Sequence, residues 1–355
     1  RKTARNKASS FILVSSLNFF IKFVFFILKN FKPKCQLFFL FFAFLVFALK
    51  GFLVAAAAPW LLARTERGAV AVGSARVPWT SLAVLVAGVL IALVCVTAFA
   101  AIMIGPYALS PGEVLATLAG RGDTQSTIVV WRIRLPRVAA ALMVGAALAA
   151  AGASYQALFR NPLVSPDILG VSAGAGLGAV AGIFLSLPVA AIQGSAFVGG
   201  MVAVGVVMLV ASTVRGTDRT LSLVLIGVVI GALAGAVTSL LKVMADPYDQ
   251  LPAITFWLLG SLAATTSDDI MPALPLVLLG LVPLWLLRWR INVLSLGDEE
   301  ARSLGIDAGR TRFLVITAAT LVTASVTALA GVVGWVGLVI PHIARMIAGP
   351  GFGRL

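Results

Sequence analysis

The feature that most constrains this chain is a series of nearly charge-free stretches, each about as long as a bilayer is thick. The clearest lies between Trp131 and Ala179. After Arg137 almost every residue to Ala153 is Ala, Val, Leu, Met or Gly, and a second apolar stretch follows the polar, proline-broken loop from Arg160 to Pro166. About 20 such residues cross a hydrocarbon core as a helix. Gly145, Ala149 and Ala153 recur at four-residue spacing, as do Gly170, Gly174 and Gly178. Rows of this kind let helices approach closely. The pattern predicts packed membrane helices, not a soluble domain. Composition agrees: 60% of the 355 residues are hydrophobic and 11% charged, against about 25% charged in soluble domains.

The same reading along the chain predicts an all-α, polytopic bundle with core helices near residues 79–104, 137–158, 168–187, 189–213, 220–244, 270–288, 312–330 and 335–348. The segment from Gly105 to Arg137 is polar, with Pro106, Pro111 and Arg121-Gly122-Asp123. Residues 246–269 are polar around Phe256-Trp257-Leu258-Leu259-Gly260, which reads as a short helix near the interface. Residues 1–55 form a different kind of segment. Seven of the eight lysines and 14 of the 21 phenylalanines fall by residue 52. Two readings compete, an extra pair of spans (11–28 and 37–57) or a start site placed too far upstream, and the second is preferred. The expected division is therefore a Phe/Lys-rich leader over 1–55 and a transmembrane domain over 56–355.

Charge gives an orientation. The net charge of +14 sits in short loops between apolar segments, as the positive-inside rule expects, so nucleic acid is not the implied partner. With residues 64–76 placed inside, the inner loops hold Arg160, Arg215, Arg219, Arg288, Arg290, Arg302, Arg310, Arg312 and Arg345. Outer loops from the fourth helix onward hold no arginine; only the first outer segment departs, with Arg121, Arg132, Arg134 and Arg137. Either these arginines cap a helix end and snorkel to lipid headgroups, or they form a docking patch for an acidic partner outside the membrane.

On the inner side, Leu294–Arg312 carries a start and stop signal for a two-turn helix: Asp298 as cap, Glu299 and Glu300 in the first turn, Arg302 later, Gly305 at the end. By itself this is a solvated loop helix. Gly227, Gly231 and Gly235, with Thr238, form a small-residue row suited to packing and to lining a pathway. Gly174-Ala175-Gly176 follows no strand, so packing is preferred there to dinucleotide binding. His342 is the single histidine; no Cys/His cluster accompanies it, so no metal or cofactor is called for, and a structural role beside Arg345 is expected. Cys35 and Cys95 lie in or beside apolar segments and read as small buried apolar residues, in preference to a disulfide. No G-x-x-x-x-G-K-[ST] occurs in the sequence, so the chain carries no phosphate cradle of that type. An ion-coupled secondary transporter is the alternative class. It usually needs ionisable groups at mid-membrane, whereas the predicted spans are nearly free of them.

Three segments carry a resemblance. They are RLPR with the helix after it and QALFRNPLVSPDILGVSAGAG; LSLGDEEARSLGID at Leu294–Asp307; and GVVGWVGLVIPHIARMIAG at Gly331–Gly349. In this order, over roughly residues 80 to 355, they resemble the FecCD-type permeases, BtuC-like membrane subunits of ABC importers for ferric siderophores, haem and cobalamin. The resemblance implies a multi-pass inner-membrane subunit that is not itself an enzyme. Its implied partners are an ATP-binding subunit, a periplasmic or lipoprotein substrate-binding protein, a second permease copy and lipid. It further implies that Arg134 and Arg137, with Arg132 a weaker candidate, meet glutamates of the binding protein. Asp298, Glu299, Glu300, Arg302 and Gly305 would then engage the ATPase. The implied cargo is a ferric siderophore ahead of haem or cobalamin. The family's ten core helices exceed the eight predicted here, so an incomplete C-terminal end is expected.

Overall fold

The computed structural model describes residues 69–72, 75–214, 219–348 and 352. The expected leader over residues 1–55, and with it the boundary at 55/56, lies outside the described residues, as do Arg215 and the side chain of Arg219. Two compact units divide the chain at Val89/Leu90. In the first, β1 (Ala69–Val72) and β2 (Ala75–Pro78) form an antiparallel hairpin that pairs Ala69 with Pro78 and Val72 with Ala75. Strands were not expected in this basic approach segment; Val70, Val72 and Val77 favour extended backbone. Helix α1 (Trp79–Met103) begins in this unit and ends in the second.

The second unit is helical throughout its described residues. Its elements are α2 (Pro111–Leu118), α3 (Thr124–Thr127), a π-helical turn (Ile128–Arg134), α4 (Leu135–Leu158), a 3-10 turn (Pro166–Leu169), α5 (Val171–Phe184), α6 (Val189–Thr213) and α7 (Arg219–Met244). They are followed by α8 (Gln250–Leu259), α9 (Ser267–Leu286), α10 (Arg288–Leu294), α11 (Asp298–Ser303), α12 (Ala308–Ala330) and α13 (Val336–Ala348). Local chemistry explains the starts. Ser110 and Glu113 make a reciprocal capping box for α2, Thr266 and Asp269 another for α9, and Asp307 accepts from the Arg310 N–H at the head of α12.

Five of these segments are long and apolar enough to cross a membrane: 124–158, 189–213, 220–244, 267–286 and 308–330. Two predicted spans are shorter than a bilayer: α5 has 14 residues and α13 has 13. The backbone gives the reason. Gly170 (φ 78°) fixes the entry to α5 and Ser186 (φ 54°) turns the chain just past its end, while Gly331 (φ 72°) and Trp335 (φ 70°) unwind the chain between α12 and α13. Of the predicted packing rows, the one through Gly174 and Gly178 is used as written, whereas a Cβ on Gly145 would meet nothing within 4 Å. A side chain on Gly174 would overlap the Gly199 carbonyl, and one on Gly178 the Ser195 carbonyl, so α5 and α6 pack backbone to backbone.

Helix α12 forms the centre. Of its most apolar window 72% is buried, against 22% for α7 and α9, and it packs on α4, α5, α6 and α9. Within that contact the Tyr155 hydroxyl meets the Thr320 hydroxyl at 3.1 Å, both side chains being buried. Cys95, expected in a buried apolar setting, is instead exposed on α1. Helix α4 also touches α13, where a Cβ on Gly152 would overlap the Gly337 carbonyl. Gly152→Val should therefore destabilise the bundle by about 1–3 kcal/mol. Gly145→Ala, with no neighbour within 4 Å, should stay within about 0.5 kcal/mol. Thermal unfolding in one detergent compares the two, and equal midpoints would contradict the close contact.

Candidate functional site

Two polar ends of the bundle hold the expected site residues. Helix α4 separates them: its 24 residues span about 36 Å at 1.5 Å per residue. At the Leu135 end, the π-helical turn over Ile128–Arg134 closes with Arg134. The sequence reading expects Arg134 on the surface, yet it is buried at 6% exposure. Its guanidinium donates to the carbonyls of Ile102, Met103 (2.9 Å) and Tyr107. These are carbonyls at and just beyond the C-terminal end of α1, which have no partner from within the helix. Gly105 makes the room, since a Cβ there would run into the same guanidinium. Arg132 and Arg137 flank it and are exposed. The arginine cluster thus divides into one internal cap and two outward cations.

At the opposite end, α4 stops at Leu158 beside α10, across a cleft of about 160 Å³ lined by Gln156, Arg160, Asn161, Asn292, Ser295 and Arg345 among others. Gln156 is buried and donates to the Leu338 carbonyl at 3.0 Å, tying α4 to α13. Arg345 faces this cleft, whereas His342 is exposed on α13. Between α4 and α5, Asp167 accepts from the Ser172 hydroxyl; burial raises its pKa above the ordinary carboxylate value, an effect that hydrogen bond partly offsets.

Helix α11 lies next to α10 and α12 at this same end. The cap position belongs to Gly297 rather than Asp298. The Asp298 carboxylate is engaged elsewhere, accepting two bonds from Arg312, Nη2 to Oδ1 at 2.8 Å and Nη1 to Oδ2 at 3.3 Å. Glu299, Glu300 and Arg302 are exposed, while Ala301 turns into the core. Gly305 (φ 75°) ends the helix in the expected way, with the Ile306 N–H returning to the Ala301 carbonyl at 2.9 Å. The glycine row of α7 divides three ways. A Cβ on Gly227 would overlap the Ile168 carbonyl; one on Gly231 would lie 3.9 Å from Ala173 and Gly170; one on Gly235 would meet nothing within 4 Å. Thr238 is half-buried.

Comparison with known proteins places this architecture. The sequence model of the FecCD transport family matches residues 89–355. The chain belongs to the FecCD transport family. Relatives include the cobalamin import system permease protein BtuC of Halobacterium salinarum, 42% identical over 63% of this chain and 60% of that protein. The ferric enterobactin transport system permease protein FepG of Escherichia coli is 40% identical over 69% of this chain and 74% of its own length. The molybdate import system permease protein MolB of Haemophilus influenzae is 36% identical over 72% and 77%. A solved metal-chelate type ABC transporter in an inward-facing conformation superposes with a TM-score of 0.68 at 36% identity, covering 74% of this chain and 82% of that one. Like other FecCD members, the chain is a multi-pass membrane protein of the transport class.

Two variants separate the roles within the arginine cluster. Arg134→Gln strands buried carbonyls and should destabilise the protein by on the order of 3 kcal/mol. Arg132→Glu with Arg137→Glu should leave the unfolding temperature nearly unchanged. Thermal unfolding monitored by circular dichroism checks both, and the opposite ranking would reverse the assignment.

Proposed function

We propose that this chain is the permease subunit of an ABC importer in the plasma membrane and that its cargo is a ferric siderophore. The observation that carries the reading is the placement of unlike polar groups at the two ends of one apolar bundle, in a chain of this family. Arg132 and Arg137 stand at one end; the acidic face of α11 stands at the other, beside Arg160, Arg288, Arg290 and Arg345. The positive-inside rule makes the second end cytoplasmic. There Glu299, Glu300 and Arg302 meet an ATP-binding subunit, with Asp298 and Gly305 fixing the helix that presents them. At the outer end Arg132 and Arg137 pair with carboxylates of a substrate-binding protein, above the turn that Arg134 holds in place. Gly235 and Thr238, on the less buried length of α7, line the pathway with a second permease copy. Two of its named relatives, for ferric enterobactin and for cobalamin, handle large metal chelates, which supports a ferric chelate here.

ATP binding in the partner shifts the permease pair between outward- and inward-open populations. Co-purification tests the inner contact: the wild type should retain the ATPase subunit, and Glu299→Ala with Arg302→Ala should lose it. Retention by that double variant would reject the contact. At the outer end, Arg132→Glu with Arg137→Glu should weaken binding-protein docking roughly tenfold at low salt and less at high salt. Surface plasmon resonance at two ionic strengths reads this, and an unchanged affinity would remove the docking assignment.

A further inference from the structure

We propose that Arg312 is a positioning residue that joins α11 to α12 as one rigid lever, so that force applied to α11 reaches the bundle. This rests on the reading of α11 as the ATPase contact. Helix α11 is only 6 residues long. At its C-terminal end the covalent chain attaches it to α12 through Leu304–Asp307, where Gly305 adopts φ 75°. The short link over residues 295–297 at the other end leads to α10, not to α12, so the covalent chain ties α11 to α12 only through that turn and leaves their mutual angle free. Ala301 and Ile306 seat its underside in the core at 0% and 6% exposure, but aliphatic contacts are weakly directional and permit rolling.

The Arg312–Asp298 pair supplies a second attachment to α12, at the N-terminal end of α11. Two N–H···O bonds in parallel fix an angle as well as a distance. Its arginine side is shielded, with the Arg312 side chain 8% exposed and that of Asp298 39%, so water competes poorly for the guanidinium. A lysine at this position would keep the charge and lose the fork. With both ends held, α11 moves only as α12 moves. Helix α12 is the most deeply buried of the five long apolar segments and packs on α4, α5, α6 and α9. The side chains facing outward, Glu299, Glu300 and Arg302, are not used by this joint and stay free for a partner.

The test uses the chain assembled with its ATPase subunit in proteoliposomes, with the substrate-binding protein supplied on the outer side. With Cys35 and Cys95 replaced by Ser, spin labels at Ser303→Cys on α11 and Phe313→Cys on α12, both exposed, report the α11–α12 distance. The wild type should give one narrow distribution, the same with and without ATP and vanadate. Arg312→Gln should broaden it while the ATPase subunit still co-purifies. Arg312→Lys should fall between them, and the exchange Asp298→Arg with Arg312→Asp should narrow it again. ATP hydrolysis should continue in Arg312→Gln while uptake of radiolabelled ferrichrome per ATP hydrolysed is lost. A narrow distribution or an unchanged uptake ratio in Arg312→Gln would overturn the lever alone. If instead Glu299→Ala with Arg302→Ala still binds the ATPase subunit, the contact fails and the lever fails with it.

Discussion

Lipid offers no hydrogen bonds, so every backbone carbonyl and amide at membrane depth has to find its partner within the protein. Most of the chain meets this with long helices, but several elements are short or broken, and each break leaves groups to be satisfied. Arg134 answers for the end of α1 by donating to three carbonyls around it. Where α12 gives way to the unwound stretch before α13, the Ser261 N–H donates to the Ala330 carbonyl at 2.8 Å. Gln156 takes up the Leu338 carbonyl. These few bonds let half-length elements exist inside an otherwise continuous bundle.

Small residues make such bonds reachable. With glycine at 152, 174, 178 and 227, backbones meet that a single methyl group would hold apart. Around them α12 supplies a deeply buried centre whose polar atoms are matched internally: Thr323 and Ser325 donate to carbonyls one turn back, and Thr320 pairs with Tyr155. A displacement of α12 is therefore felt by its neighbours through close packing. That makes the ion pair at its N-terminal end more than a surface detail.

The helical positions were legible because hydropathy, proline and glycine act locally. The 189–213 segment was found to the residue, and α12 extends four residues before its expected start because Asp307 caps it. The two-turn helix at 298–303 was legible from its charges and Gly305. Its first residue was misread: Asp298 looks like a cap by position, but Arg312, 14 residues on, competes for the carboxylate. For Arg134 the capping alternative fits, but at a buried position rather than in the headgroups. A charged residue beside an apolar run normally points to water, and no local pattern announces that carbonyls 27 to 32 residues upstream need a donor.

The sequence by itself determined that this chain is a membrane bundle, where most helices lie, and which family it belongs to, since those follow from transfer energies and contiguous motifs. Tertiary structure decided which arginines are internal and which face outward, that two of the expected spans stop short, that α12 is the centre, and that Asp298 is held by Arg312. Each of these depends on which groups meet across long stretches of chain. Hydrogen-bond need and close packing select such pairings, and neither is encoded in spacing along the chain.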